Sequence, residues 1–265
     1  VALALAAQSF AHEGLHEAIA ALDTRIAEAP EDVDLLLARG ELNRRHRAWG
    51  DALADALLAQ QLAPDDDDGL LLRARLHANL GWLDSALPLL QRYLARHADH
   101  LDALWLRGEV RAQLGDSFGA EQDWDAAIAA GPVPSPDQYL ARATLVAARG
   151  PAFLDLALAG LDEGLLRLGG AASLQLRAID LELECGEPDA ALSRVDTLAR
   201  SSPRQEHWLA RRGDILSSSG RKTEARAAYQ KAALAIAALA ARHRQTRAVM
   251  DLAEHVASRL AELEA

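Results

Sequence analysis

The sequence predicts an all-α protein assembled from repeated helix pairs, and three observations carry that reading. Alanine and leucine dominate a chain of 265 residues that is half hydrophobic and only 4% aromatic. Both are strong helix formers, whereas the residues that favour sheet (Val, Ile, Thr, Tyr, Phe) are sparse. An arginine followed by Gly or Ala recurs with a fixed period. Between recurrences stands a glycine where a first helix must stop.

The recurrences appear in LLARGEL (36–42), LLRARLH (71–77, offset by one), LWLRGEV (104–110), YLARATL (139–145), LQLRAID (174–180) and LARRGDI (209–215). Their arginines, Arg39, Arg73, Arg107, Arg142, Arg177 and Arg212, are spaced by 34, 34, 35, 35 and 35 residues. An alanine follows twelve places after the Gly/Ala in five units: Gly40 to Ala52, Ala74 to Ala86, Gly108 to Ala120, Ala178 to Ala190 and Gly213 to Ala225. A bulky residue often stands four further on, as at Leu90, Trp124 and Tyr229. The turns carry Gly50, Gly81, Gly115, Gly150, Gly186 and Gly220, and units close on Pro64, Pro132, Pro203 or a polar stretch. Small residues suit the crossing of two helices, because only Gly or Ala lets the backbones approach closely.

The elements follow in order. Residues 1–11 read either as the tail of an apolar signal segment or as a leading helix. Residues 12–32 have Ala18, Leu22 and Pro30 where the second helix of a unit places them. Full units are expected over about 33–66, 67–100, 101–134, 135–170, 171–204 and 205–241. Residues 242–265 carry Val249, Leu252, Val256, Leu260 and Leu263 at helical spacing, which predicts a C-terminal capping helix.

This pattern resembles the tetratricopeptide repeat (TPR), a helix-turn-helix unit of about 34 residues. The match is fullest at 101–134, where Leu104, Gly108, Gly115, Ala120, Trp124, Ala127 and Pro132 fall on the family's positions. The fourth unit departs, since Gly150-Pro151-Ala152-Phe153 lengthens its turn, and the fifth has Arg194 where a large residue belongs. The resemblance implies a right-handed superhelical solenoid and a concave groove walled by the first helix of each unit. The matching groove positions are Leu37, Glu41, Arg44 and Arg45, then Leu71, Arg75 and Asn79, then Trp105, Glu109 and Gln113. They continue through Leu140, Thr144, Gln175, Ile179, Glu182, His207, Asp214 and Ser217. The set lacks the two-Lys, two-Asn, one-Arg clamp that chaperone-binding members use. A protein or peptide partner is therefore expected, without an identity. Trp105 is the expected anchor, with a core tryptophan as the alternative.

Charge narrows the partners. Lys and Arg number 28 against 39 Asp and Glu, a formal net charge of -11. Nucleic acid phosphates need clustered cations, and this chain has no basic block. No stretch approaches the roughly 20 apolar residues of a membrane span. Cys185 is the single cysteine, so no intrachain disulfide can form. No cofactor is expected.

HEGLH (12–16) spells the H-E-x-x-H of zinc peptidases, with His12 and His16 as ligands and Glu13 as base. Gly14 weakens a helix there, and no later segment offers a third ligand, so a catalytic reading is rejected in favour of a solvated helix start. A non-catalytic alternative remains. VALALAAQSFA ends on Ser9-Phe10-Ala11, a small-x-small cleavage pattern that predicts a bacterial protein that is periplasmic or otherwise exported, with a cytoplasmic location as the alternative. Cleavage after Ala11 would leave the amine and imidazole of His12 to chelate a metal, with His16 one turn away. Asp65 to Asp68 and the cluster His97, Asp99, His100 read as polar turns, and Cys185 as inert packing. The arginine ladder reads as structural, with Arg39 and Arg107 expected to meet Asp55 and Asp123.

Overall fold

The computed structural model describes residues 2–132 and 134–263, with side chains from Gly14 onward. The described elements are helical. They fall into two compact units, residues 1–132 and 133–265.

The first unit begins with α1 (Ala2–Glu28). Three helix pairs follow: α2 (Val33–Arg45) with α3 (Trp49–Leu62), α4 (Asp67–Asn79) with α5 (Leu83–Leu94), and α6 (Leu101–Gln113) with α7 (Ser117–Ala130). Each helix packs on its pair mate, and α3 packs on α4 and α5 on α6. The starts are encoded locally. Asp32, Asp66 and Asp116 accept hydrogen bonds from the backbone N–H groups of Leu35, Gly69 and Gly119, satisfying donors that a helix N-terminus leaves open. The four-aspartate run is thus a capping turn, and Asp67 in it receives Arg96 (2.6 Å) and His97 (2.8 Å). His100 caps α6 through its Nδ1, which accepts from the Ala103 N–H (3.2 Å).

The crossings show why the period carries small residues. A Cβ on Gly108 would lie 2.4 Å from Nε1 of Trp124, so the indole fits only over a glycine. At Gly40 the same atom would meet Leu72 at 2.8 Å. Ala52, Ala56, Ala74, Ala86 and Ala120 are fully buried at the corresponding contacts. Between α2 and α3 the expected glycine turn is corrected. Gly50 lies inside α3, and Arg47 takes the left-handed conformation (φ 64°). The other turn glycines, Gly81 and Gly115 in this unit, adopt positive φ as expected.

The second unit holds α8 (Pro136–Ala147), a 3-10 turn at Pro151–Phe153, α9 (Leu154–Leu168), α10 (Ala172–Glu184), α11 (Pro188–Ser201), α12 (Glu206–Ser218) and α13 (Lys222–Ala238). A short α14 (Ala241–Arg244) leads to α15 (Arg247–Glu262), which packs on α13 and α12 through Val249 and Val256. Its last pair repeats the first unit's logic, since a Cβ on Gly213 would lie 2.5 Å from the Tyr229 ring. The fourth pair inverts it: Tyr139 is the large residue on the first helix, and Gly164 the small one on the second, with 2.7 Å between a Cβ there and Tyr139 Cγ. Size complementarity is kept while the two helices exchange roles.

The arginine ladder is structural throughout. Arg39 donates to Asp55 (3.0 and 2.6 Å) and to Asp23 (2.7 Å). Arg107 donates to Asp123 (2.9 and 2.6 Å), which also accepts from Arg111 (2.9 Å). Where the unit lacks its own acid, other groups serve. Arg73 reaches Gln60 and Arg212 reaches Asp196 (2.6 Å), both on the preceding second helix. Arg142 meets an acid of its own unit, Glu163 on α9 (2.9 Å), and Arg177 meets Glu184 on its own helix (3.1 Å). The fifth pair reverses polarity: Arg194 on α11 donates to the buried Glu182 of α10 (2.5 Å) and to Asp162 (2.8 Å).

Candidate functional site on the first helices

In the first unit the groove positions of α2, α4 and α6 are joined by side chains. Arg44 makes a two-pronged contact with Glu41 (2.8 and 2.7 Å) and donates to Oδ1 of Asn79 (3.0 Å). Arg75 bridges Glu41 (3.8 Å) and Asp102 (3.7 Å). Side chains from successive repeats therefore form one charged surface. Desolvation pushes the Glu41 carboxyl up. The hydrogen bonds of Arg44 and the charges of Arg44, Arg75 and Arg45 outweigh it, and the net shift is downward. Glu41 is thus held ionised between cations.

Trp105 stands at the end of this surface on α6. Its ring is half-buried and stacks on Trp124 with centroids 4.9 Å apart and planes 17° from parallel. The Trp124 indole N–H donates to the Trp105 carbonyl (3.1 Å), and the Trp105 indole N–H donates to Glu109 (3.1 Å). The second tryptophan fixes the first by stacking and by a backbone hydrogen bond, so the Trp105 face is pre-positioned. Desolvation pushes Glu109 above the ordinary carboxylate range, partly opposed by that indole bond.

The other groove positions are distributed unevenly. Leu37 is half-buried, and Arg45 and Gln113 are exposed. Leu71 is only 5% exposed and belongs to the core, so it leaves the groove wall. In the second unit, Leu140 and Gln175 are half-buried, and Thr144 and His207 are exposed. Ile179 and Glu182 are buried. Ser217 is half-buried. Asp214 accepts from the Tyr229 hydroxyl (2.7 Å) and meets Nε2 of His255 on α15 (2.8 Å). That position secures the last helix rather than standing open. Sequence pattern missed Asp102 and His255 in these roles, because their partners Arg75 and Asp214 lie in a different unit from their own, and it marked Tyr229 only as a bulky residue.

The remaining candidates have structural roles or lie elsewhere. Cys185 is the C-cap of α10, its thiol pushed up by desolvation and by Asp155. His12 and Glu13, the first two members of HEGLH, and the leading 1–11 segment lie outside the described side chains. His16 is exposed, and its Nε2 lies 3.1 Å from Nε2 of His46. Among the described residues, no set of three or more His, Cys, Asp or Glu side chains is placed to hold a metal. No described helix is long and apolar enough to cross a membrane.

Stacked helix pairs with small-over-large crossings and a side-chain surface shared by successive first helices define a helical repeat protein. Comparison with known proteins specifies which. The tetratricopeptide repeat family matches residues 71–134, and the tetratricopeptide repeat-like domain family matches 168–252. Together these stretches span more than half of the sequence, and the chain belongs to the TPR family. Its fold is that of the all-α TPR solenoids. A tetratricopeptide repeat protein from Parabacteroides merdae is 22% identical, with 94% of this chain and 95% of that one covered and a TM-score of 0.54. PilW, a type IV pilus biogenesis factor, is 18% identical over 77% of this chain and 94% of its own, with a TM-score of 0.59. YrrB, described as a TPR protein with an unusual peptide-binding site, is 17% identical over 77% and 97%, with a TM-score of 0.50. No curated protein matches the sequence.

Proposed function

We propose that the chain is a non-enzymatic scaffold that binds a protein or peptide partner on the α2–α4–α6 face of its first unit. The observation that supports this reading most directly is the fixed Trp105 platform at the end of a surface carrying both signs of charge. An aromatic side chain already held in place loses little freedom on binding, which is the usual basis of an interface hot spot. Glu41, Arg44, Arg75, Asn79 and Glu109 then set register and specificity around it. YrrB, with its peptide-binding site, is a fold neighbour that makes a peptide ligand a reasonable class. The partner expected is a segment that offers an apolar anchor to Trp105 with charges of both signs beside it. The net charge of -11 disfavours nucleic acid on the same face.

The test is affinity capture with the intact chain, followed by titration of the captured partner against Trp105→Ala and Arg75→Glu. Trp105→Ala also removes a stacking partner of Trp124, so Arg75→Glu serves as the variant that leaves the core alone. Both are expected to weaken binding at least tenfold with helix content unchanged. Wild-type affinity in both variants would move the binding surface elsewhere.

A further inference from the structure

We propose that His16 and His46 form a two-imidazole binding site for a divalent transition-metal ion, of the Cu2+, Ni2+ or Zn2+ class, clamping α1 to the turn that follows α2. His16 lies on α1, and His46 is the C-cap of α2, thirty residues later. Their Nε2 atoms stand 3.1 Å apart, with ring centroids at 4.3 Å and planes inclined by 67°.

The separation suits shared coordination. A metal about 2.0–2.1 Å from each nitrogen, the usual metal–imidazole distance, would subtend an angle of roughly 100° between them. That lies between the square or octahedral angle and the tetrahedral one, so each of these ions can be accommodated, with solvent in the remaining positions. Imidazole is a ligand of middling softness. It selects this class of ion over Ca2+ and Mg2+, which need oxygen donors. At His16 and His46, two nitrogens that are donors or ligands by chemistry converge on one point.

The local field sets the strength. Arg45 and Arg47 flank His46 in sequence and oppose a cation, while Arg44 is neutralised by its two-pronged contact with Glu41. Two imidazole bonds to a transition ion outweigh screened charges at an exposed site. The proposal is independent of the scaffold reading, since neither histidine belongs to the α2–α4–α6 face assigned above. It also differs from the sequence-stretch HEGLH: the second ligand comes from a separate helix, not from the motif.

The experiment uses the full chain without an affinity tag, stripped with chelator, and titrated calorimetrically with Zn2+ and with Ni2+ alone. Wild type is expected to bind one equivalent. His16→Gln and His46→Gln should each weaken binding at least tenfold, and His207→Gln, an exposed histidine elsewhere, should leave it unchanged. In NMR spectra, Ni2+ should broaden the ring signals of His16 and His46 first. His46→Gln removes no buried group, and circular dichroism confirms its fold. Absence of metal uptake by the wild type would reduce the pair to an imidazole–imidazole hydrogen bond and overturn the proposal. Wild-type affinity in His46→Gln would overturn it too, placing the metal on other ligands.

Discussion

The third helix pair, α6 with α7, and the pairs α8/α9 and α10/α11 solve one packing problem in opposite ways. In the third pair the first helix is small and the second large, Gly108 beneath Trp124. The cation stands on the first helix and the anion on the second, Arg107 on Asp123. In the fourth pair the sizes are exchanged, with Tyr139 on the first helix over Gly164 on the second. In the fifth the charges are exchanged, with Arg194 on the second helix bound to Glu182 on the first. What the fold requires is therefore a complementary pair at each crossing, not a particular residue on a particular helix.

The largest effect expected from that comparison comes from filling a small position. Gly108→Ala places a Cβ 2.4 Å from the Trp124 indole and 3.1 Å from the Ala120 carbonyl, so the indole must move. Denaturant unfolding should show a loss of about 1–3 kcal/mol, the range of overpacked cores. Gly164→Ala should cost a similar amount against Tyr139 and Leu174. Combining Gly108→Ala with Trp124→Leu should recover part of the loss, and a cycle showing strict additivity would disconnect the two residues.

The ion pairs come next. Asp123 is buried and accepts from both Arg107 and Arg111. Asp123→Asn keeps the shape and removes the charge, which should cost about 1–3 kcal/mol. Glu182→Gln should give a loss of the same order, because Arg194 keeps an exposed second partner in Asp162. A negligible effect at Asp123 together with a large one at Glu182 would show that the reversed pair is not an equivalent of the ordinary one.

The smallest effect has the opposite sign. Arg47 occupies a left-handed conformation in which a side chain is disfavoured by roughly 1–2 kcal/mol. Arg47→Gly should raise the free energy of unfolding by about 1 kcal/mol after the extra chain entropy of glycine in the unfolded state is subtracted. A fall in stability would mean that the Arg47 side chain makes contacts worth more than the strain.

Much of this architecture follows from residue order alone. The Arg39 and Arg107 pairs fall sixteen places apart within one unit, so a fixed register finds Asp55 and Asp123. The partners of Arg73 and Arg212 lie on the preceding second helix, and counting forward from each arginine passes over Gln60 and Asp196. The Tyr139–Gly164 inversion hides for the same reason, because a template that asks for small then large scores it as a defect. Gly50 misleads in a different way: it falls three residues past the left-handed position, which Arg47 fills. At the candidate site, the resemblance to the repeat family marks Trp105 and its polar neighbours. Only packing shows that Trp124 holds it, that Leu71 is core, and that His46 comes back to His16 across thirty residues.

The most direct test of the scaffold reading is the affinity of the captured partner for the wild-type chain and for Trp105→Ala, with Arg75→Glu and the exposed second-helix change Leu57→Glu measured beside it. The proposal predicts at least a tenfold loss for the two changes on the α2–α4–α6 face and an unchanged affinity for Leu57→Glu. Retained binding in the first two and loss in the third would contradict it and move the partner to the second helices.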